Sequence, residues 1–422
     1  MSAPRLLPSR TIAELTPERG CVISAEAMAV AAPIVDAVAN RHEAALREYA
    51  ERFDDIAKGG PLFFDQVALN RALANLAPAD RGRLERVADR IRVFAEAQLR
   101  ALSPVNVTVP GGSAGHWIAP VERAGCYAPG GRYPLPSSAL MTAVTARTAG
   151  VKHVWVASPK PGPMTLAAAA IAGADGVLAA GGAHAIAALA FGAGVVPPCD
   201  VITGPGNRYV TAAKQLVSAH VRIDMLAGPT ELVVLADSTA SASAVAADLL
   251  AQAEHDPDAR PILVTLDRGL AKRVEQELDR QLGTLPTATV ARQSLANGGF
   301  VLVANIEEGI AACDALAPEH LELLLDDAAA VALRLNHFGA LFIGGASGEA
   351  LGDYGAGPNH VLPTAGTARS TGGLSVYTFL RVRTWLRIDD SAAARPLIED
   401  AAWLARIEGL EGHARSAEQR LD

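Results

Sequence analysis

In Asp248-Leu-Leu-Ala-Gln-Ala-Glu-His255 an amide and an imidazole, Gln252 and His255, stand three residues apart in an apolar setting. On a helix such a pair points both side chains at one face, so the two can reach one ion. Further candidates follow along the chain: Glu319 and His320 after Pro318, Asp353 in Gly352-Asp-Tyr-Gly-Ala-Gly-Pro-Asn-His360, and Glu408 with His413 near the C-terminus. Asp353 and His413 offer the oxygen and nitrogen that would close a shell of the kind zinc accepts. Taken alone, a Gln and a His at this spacing are more often a helix cap or a satisfied core histidine. The later segments shift the balance toward a catalytic metal site assembled from distant parts of the chain. Glu319 and His320 fit an acid–base couple and also a helix N-terminus, because Pro318 opens an apolar run where an acid suits the helix dipole.

The elements that must position such groups need more than one core. At 422 residues the chain is long enough for two or three domains. Half of it is hydrophobic, aromatics make up 5%, and there are 38 glycines. That mixture, rich in alanine, suits helices packed closely on parallel sheets. The formal charge of −8, with no cluster of Lys and Arg, argues against a nucleic-acid partner. Cys21, Cys126, Cys199 and Cys313 form no CxxC pair, so neither a disulfide framework nor a thiolate zinc knot is indicated. The first twenty residues lack the apolar core of a signal peptide, and no run approaches the ~20 apolar residues of a membrane span. A soluble, cytoplasmic protein without a membrane partner is expected.

Apolar residues spaced by three and four from Ser24 to about Ala101 predict two or three helices. Val105-Asn-Val-Thr-Val-Pro110 alternates as a strand and leads to Gly111-Gly112. From Val121 the texture becomes short β-branched runs between alanine-rich helices. Strands are predicted at 153–157, 176–178 and 200–203, with helices at 165–172 and 183–191, hence a parallel sheet. A second set of strands falls at 232–237, 261–265, 300–303 and 340–344, interleaved with the helix that carries Gln252 and His255. After Val376 the pattern reads as charged and helical to Asp422. The fold class expected is α/β, with two incomplete Rossmann-like parallel-sheet domains, an N-terminal helical region and a helical C-terminal tail.

Neither unit offers GxGxxG after a strand, the usual dinucleotide fingerprint. Two other glycine loops stand in its place. Gly125-Cys-Tyr-Ala-Pro-Gly-Gly131 precedes a helix that Ser137 or Ser138 would cap, and Thr203-Gly-Pro-Gly-Asn207 ends a strand and opens a helix at about 210–217. Either loop alone is as well explained by an ordinary βα turn.

Taken together and in order, these segments resemble the histidinol dehydrogenase family over residues 121–415. The resemblance is carried by Gly125-Cys-Tyr-Ala-Pro-Gly-Gly131, Gly204-Pro-Gly-Asn207, Ile223-Asp-Met-Leu-Ala-Gly-Pro-Thr-Glu231, Gln252-Ala-Glu-His255, Pro318-Glu-His-Leu321, Gly352-Asp-Tyr354, Asn359-His-Val-Leu-Pro-Thr364 and Glu408 with His413. It implies a zinc- and NAD-dependent enzyme that oxidises an amino alcohol to a carboxylate through an aldehyde, with two NAD consumed. Zinc would be held by Gln252, His255, Asp353 and His413. Glu319 and His320 would be the catalytic pair: His320, with an ordinary pKa near ~6.5, takes the hydroxyl proton and Glu319 activates water for the aldehyde step. Substrate contacts fall on Thr230, His320 and Glu408 together with the four ligands, and cofactor contacts on Tyr127, His184 and Asn207. His360 is given no ligand role and is expected to make a structural hydrogen bond. The family also implies a homodimer in which Glu408 and His413 complete the partner's site. The domains would then run 1–124 for the N-terminal helices and the start of the first α/β unit, 125–231 for the NAD-binding unit, 232–375 for the rest of the first, and 376–422 for the tail.

Three positions depart from the family pattern. His184 stands where Gln is usual, Thr230 where Ser is usual, and Pro358 where Thr is common. Gly125-Cys-Tyr127, Gly228-Pro-Thr-Glu231 and Thr371-Gly-Gly-Leu374 also resemble relatives that oxidise sulfonated diols, so a sulfonated propanediol is the alternative substrate. It would call for an Arg such as Arg132, Arg369 or Arg381 in the pocket. A non-catalytic zinc scaffold is the other alternative. Such a scaffold would prefer a closed Cys/His shell and has no use for Glu319 and His320.

Overall fold

Short β-branched strands and alanine-rich helices sort into two parallel sheets and a smaller antiparallel one. In the computed structural model the described residues are 5–16, 23–130 and 134–421; Cys21, Gly131 and Arg132 fall outside them. The first-half strands are β1 (Phe63–Asp65), β2 (Val105–Val109), β3 (Gly112–Pro120), β4 (Arg123–Tyr127), β5 (His153–Ala157), β6 (Gly176–Leu178), β7 (Val201–Thr203) and β8 (Arg222–Ile223). The second half adds β9 (Glu231–Ala236), β10 (Arg260–Thr265), β11 (Gly299–Leu302), β12 (His320–Leu324), β13 (Ala340–Ile343) and β14 (Leu380–Ile388).

One sheet has the order β1-β6-β5-β4-β7-β8, parallel except for β1 at its edge. The second, β11-β10-β9-β12-β13, is parallel throughout. Every residue of β9 and β12 is buried, as parallel strands covered on both faces must be. Helices such as Gly182–Phe191, whose alanines are buried on every side, cover these faces at close range. The helix Ala242–Ala253 follows β9, starts with the Ser241 cap and buries Val245, Ala246, Leu249, Leu250 and Gln252.

Most predicted elements are present. The N-terminal region holds four helices of nine residues or more, Ala25–Arg41, Glu43–Arg52, Gln66–Ala74 and Pro78–Arg100, rather than two or three. Ser137 and Ser138 do not cap the next helix: it starts at Pro136 with Leu135 in the cap position. Pro318 opens no helix. The helix Ile306–Leu316 ends at Ala317, a left-handed residue, and His320 is the first residue of β12. The tail is helical only from Arg395; it enters through β14, which pairs antiparallel with β3 from Leu380↔Pro120 to Ile388↔Gly112. Its arginines alternate with apolar residues at period two, and an edge strand with solvent on both faces carries such charge readily.

One buried ion pair fixes the loop after β7. Lys214 Nζ lies 2.6 Å from Asp224 Oδ1 and donates to the Gly204 carbonyl at 2.5 Å, while the Gly204 N–H donates to Asp224 Oδ2 at 2.7 Å. Breaking such a pair leaves a buried charge uncompensated. Lys214→Met should therefore lower the unfolding free energy by about 3–5 kcal/mol in urea titration; a loss below ~1 kcal/mol, the size of an exposed pair, would show that the pair does not hold this loop.

Candidate active site

Thr230, the residue before β9, joins two of the predicted groups. Its hydroxyl accepts from Gln252 Nε2 at 2.7 Å and donates to Glu319 Oε2 at 2.5 Å, and the same carboxylate oxygen accepts the Glu231 N–H at 3.0 Å. His320 follows, 3% exposed. Its Nδ1 lies 3.8 Å from Glu319 and 3.5 Å from Glu349, and its Nε2 faces Asp353 Oδ1 at 3.4 Å. A ring nitrogen of His255 and one oxygen each from Glu349 and Asp353 all lie within 4.8 Å of one another. The structure thus gathers Thr230, Gln252, His255, Glu319, His320 and Asp353 in one place.

The strands explain why these residues meet. In the parallel register His320 pairs with Leu232, so Thr230 and Glu319 sit together at the N-terminal ends of β9 and β12. The helix Ala242–Ala253 runs back along the sheet after β9, so Gln252 and His255 come at its C-terminal end. A helix C-terminus carries partial negative charge and favours a cation. The donor set fits one too. With Nε2 engaged by Thr230, Gln252 Oε1 is buried without a partner, and so is Glu349 Oε2. Orphaned acceptors beside carboxylates and an exposed imidazole are what an oxygen- and nitrogen-liganded divalent ion would satisfy.

Burial and like charge dominate the electrostatics. Burial raises Glu319 above the usual carboxylate range and pushes Glu349 up to about 8. It also pushes Glu231 up to about 7 against the pull of Arg260. For His320 burial acts to lower the pKa, but Glu349, Glu319 and Asp353 outweigh it and hold the ring up to about 10. Asp353 moves the other way: burial opposes its charge, and His320 wins and lowers it.

The three cofactor candidates lie at the opposite, C-terminal edge of the six-stranded sheet. Tyr127 ends β4 and its hydroxyl accepts the Gly182 N–H at 3.1 Å. Gly204, at φ +120°, packs so closely that a Cβ there would lie 2.0 Å from the Tyr127 carbonyl oxygen, so only glycine serves. Asn207 caps the helix Arg208–Val217, its Oδ1 accepting from Tyr209 and Val210. β5 and β6 lie on one side of β4 and β7 on the other, which makes this edge a topological switch point, where open α/β sheets bind ligands. His184 is turned inward, 2% exposed, with Nε2 2.8 Å from Asp55 Oδ2 and its ring near Phe53.

Glu408 and His413 are not part of the cluster. Glu408 follows the helix Arg395–Ile407, His413 lies in the helix Glu411–Glu418, and both are exposed on a tail anchored by β14. His360 has the structural role expected, with Nδ1 2.9 Å from the Asp353 carbonyl and Nε2 3.3 Å from Ser138 Oγ. Arg369 binds the Ala315 carbonyl and Arg381 the Pro120 carbonyl, so neither is an anion receptor in the cluster. Glu349 was missed in the sequence. Its signal was the spacing of four in Gly348-Glu-Ala-Leu-Gly-Asp353, one face of a helical turn shared with Asp353.

The histidinol dehydrogenase family model matches residues 18–421. The chain is 49% identical over 391 residues to histidinol dehydrogenase of Thermus thermophilus, covering 92% of this chain and 93% of that one. It is 44% identical over 400 residues to that of Aromatoleum aromaticum, covering 93% and 91%. A crystal structure of histidinol dehydrogenase from Elizabethkingia anophelis matches with a TM-score of 0.91 at 30% identity over 99% of each chain. Nothing in these likenesses supports a sulfonated diol as substrate. With a family match over nearly the whole chain, close relatives of equal length and the same fold, the chain belongs to the histidinol dehydrogenase family, oxidoreductases of histidine biosynthesis.

Proposed function

We propose that this chain oxidises L-histidinol to L-histidine through L-histidinal with two NAD, using Glu319 and His320 as the acid–base pair and zinc held by Gln252, His255 and Asp353. The observation that carries this reading is the Thr230 hydroxyl, which ties Gln252 directly to Glu319 beside His320. A bound divalent cation would neutralise carboxylates that keep His320 protonated and hold the substrate's imidazole and amine in register. His320 would then take the hydroxyl proton, and a bound NAD would supply the acceptor for the hydride that leaves the carbinol carbon. In the second half Glu319 would take a proton from water as the water oxygen bonds to the aldehyde carbon and His320 returns its proton to the carbonyl oxygen; His320 would take back a hydroxyl proton of that hydrate, with a second NAD as the hydride acceptor. Thr230 orients Glu319, and Tyr127, His184 and Asn207 shape the cofactor's seat. The cofactor belongs to residues 125–231 and the acid–base pair to 232–375. No helix among the described residues is long and apolar enough to cross a membrane; what supports an enzyme of the cytoplasm is the family's place in histidine biosynthesis.

Glu408 and His413 act, in this reading, on the site of a second copy. Support comes from the apolar face of the tail: Trp403, Leu404 and Ile407 stand exposed on the helix Arg395–Ile407, as do Val382 and Leu386 on β14. A face of this kind marks an association surface.

The division of labour is tested by counting NADH per histidinol. The parent should give two. Glu319→Gln should spare the first oxidation and slow the second by about 10²–10⁴-fold, with aldehyde accumulating, while His320→Asn should slow the first by a similar factor; equal loss of both steps in both variants would sink the assignment. The exchange of tails is tested by mixing. His320→Asn and His413→Asn should each be nearly inactive alone, and activity should return when the two chains are unfolded and refolded together. No return would mean that His413 does not complete a neighbour's site.

A further inference from the structure

Two acidic side chains outside the proposed ligand set connect the elements that carry it. Glu322 lies two residues beyond His320 on β12, hence on the same face of the strand, and is 1% exposed. Its Oε1 accepts the Glu349 N–H at 2.6 Å. That N–H opens the short helix Glu349–Asp353, whose cap position is Gly348 and which has no side-chain cap of its own. Glu322 therefore supplies from another element the acceptor that a helix start requires. Its other oxygen, Oε2, is buried without a partner, and Asp248 Oδ1 stands beside the same cap, 3.4 Å from where a Cβ on Gly348 would lie. Asp248 stands four residues before Gln252, on the same face of the helix Ala242–Ala253.

We infer that Glu322 and Asp248 form a carboxyl clamp that positions the metal ligands, Glu322 holding the helix of Glu349 and Asp353 and Asp248 tying it to the helix of Gln252. Neither residue need touch substrate or ion; both are positioning residues. The clamp joins the three elements that converge on the cluster, β12, Ala242–Ala253 and Glu349–Asp353. A stretch as short as Glu349–Asp353 is held mainly by such outside contacts, because an isolated helical turn is not stable. Gln at 322 would still accept the Glu349 N–H and would keep a polar group facing Asp248. An apolar residue of the same size would fill the space but leave the Glu349 N–H without its acceptor.

The inference rests on the metal reading above, and the test separates the two. Zinc affinity is measured on the zinc-stripped full chain by competition with a chromophoric chelator, and unfolding of the zinc-free protein is followed in parallel. Glu322→Gln should bind zinc within about threefold of the parent, whereas Glu322→Leu and Asp248→Ala should bind it roughly 10–100-fold more weakly, the usual effect of removing a group that orients a ligand. Zinc-free stability should change little in Glu322→Leu, since the lost acceptor of the Glu349 N–H is offset by removing one buried acid from a like-charged cluster. Parental affinity in Glu322→Leu and Asp248→Ala would overturn the clamp, as would a loss in Glu322→Gln as large as in Glu322→Leu, or a loss matched by equal destabilisation of the zinc-free chain. Should Glu322→Leu fail to fold, Asp248→Ala against Glu322→Gln decides alone. A parent that takes up no zinc overturns the metal reading and the clamp with it.

Discussion

The structure depends on keeping an excess of acid out of water. Glu319, Glu322 and Glu349 are buried around His320, with Asp353 and Asp248 at their margin. Among the described residues His320 is the one cation within ion-pair distance of that group, because Arg260 is engaged by Glu231 outside it. An unpaired buried carboxylate costs several kcal/mol, so the arrangement persists only if protons or a cation neutralise it. Without a metal, protons do so: burial raises Glu349 and Glu322, while the acids around it keep His320 charged, and that charge in turn pulls Glu349 back down. A site built this way trades stability for a strong demand for positive charge, as functional centres do.

The two parallel sheets present their candidate groups at opposite strand ends. In the six-stranded sheet the candidate cofactor residues lie at the C-terminal strand ends, the usual place for a ligand in an open α/β sheet. In the five-stranded sheet the cluster lies at the N-terminal ends of β9 and β12, where no general rule of α/β folds would place it. The crossover helix is the reason. Having left β9 at its C-terminal end, it must return to the start of the sheet before β10, and so delivers Gln252, His255 and the negative end of its dipole to that edge. A cation there is favoured by the helix and by the carboxylates together.

This explains which parts were legible in the sequence. Strands β5 and β6 and the helix Gly182–Phe191 announce themselves because short apolar runs bounded by glycine have few other readings. β12 was not recognised as a strand, since Pro318 before an acid also fits a helix start; the choice is made by Ala317 turning left-handed and by pairing with β9, a partner 88 residues away. β14 was hidden by its arginines, which cover an exposed face and say nothing of the antiparallel partner β3. Of the site, the residues with distinctive chemistry were found, whereas Glu349 and Glu322 were not, because a lone Glu in sequence is nearly always a solvated surface group. Only burial distinguishes these two, and burial is a tertiary property.

The position of the tail has a consequence for how the metal is held. β14 is clamped along its whole length to β3, and the helices beyond it pack on each other, which leaves His413 on the surface. In the proposed zinc reading Gln252, His255 and Asp353 would be the three ligands one chain offers, the count typical of catalytic zinc with an open position. If the fourth comes from a second copy, binding of metal and association of chains become linked equilibria. Each must strengthen the other by the same free energy, so dilution loosens zinc and removal of zinc loosens the pair. The exposed Trp403, Leu404 and Ile407 would supply the apolar contact that makes this linkage strong, and an enzyme so built would complete its acid-rich pocket only as it assembles.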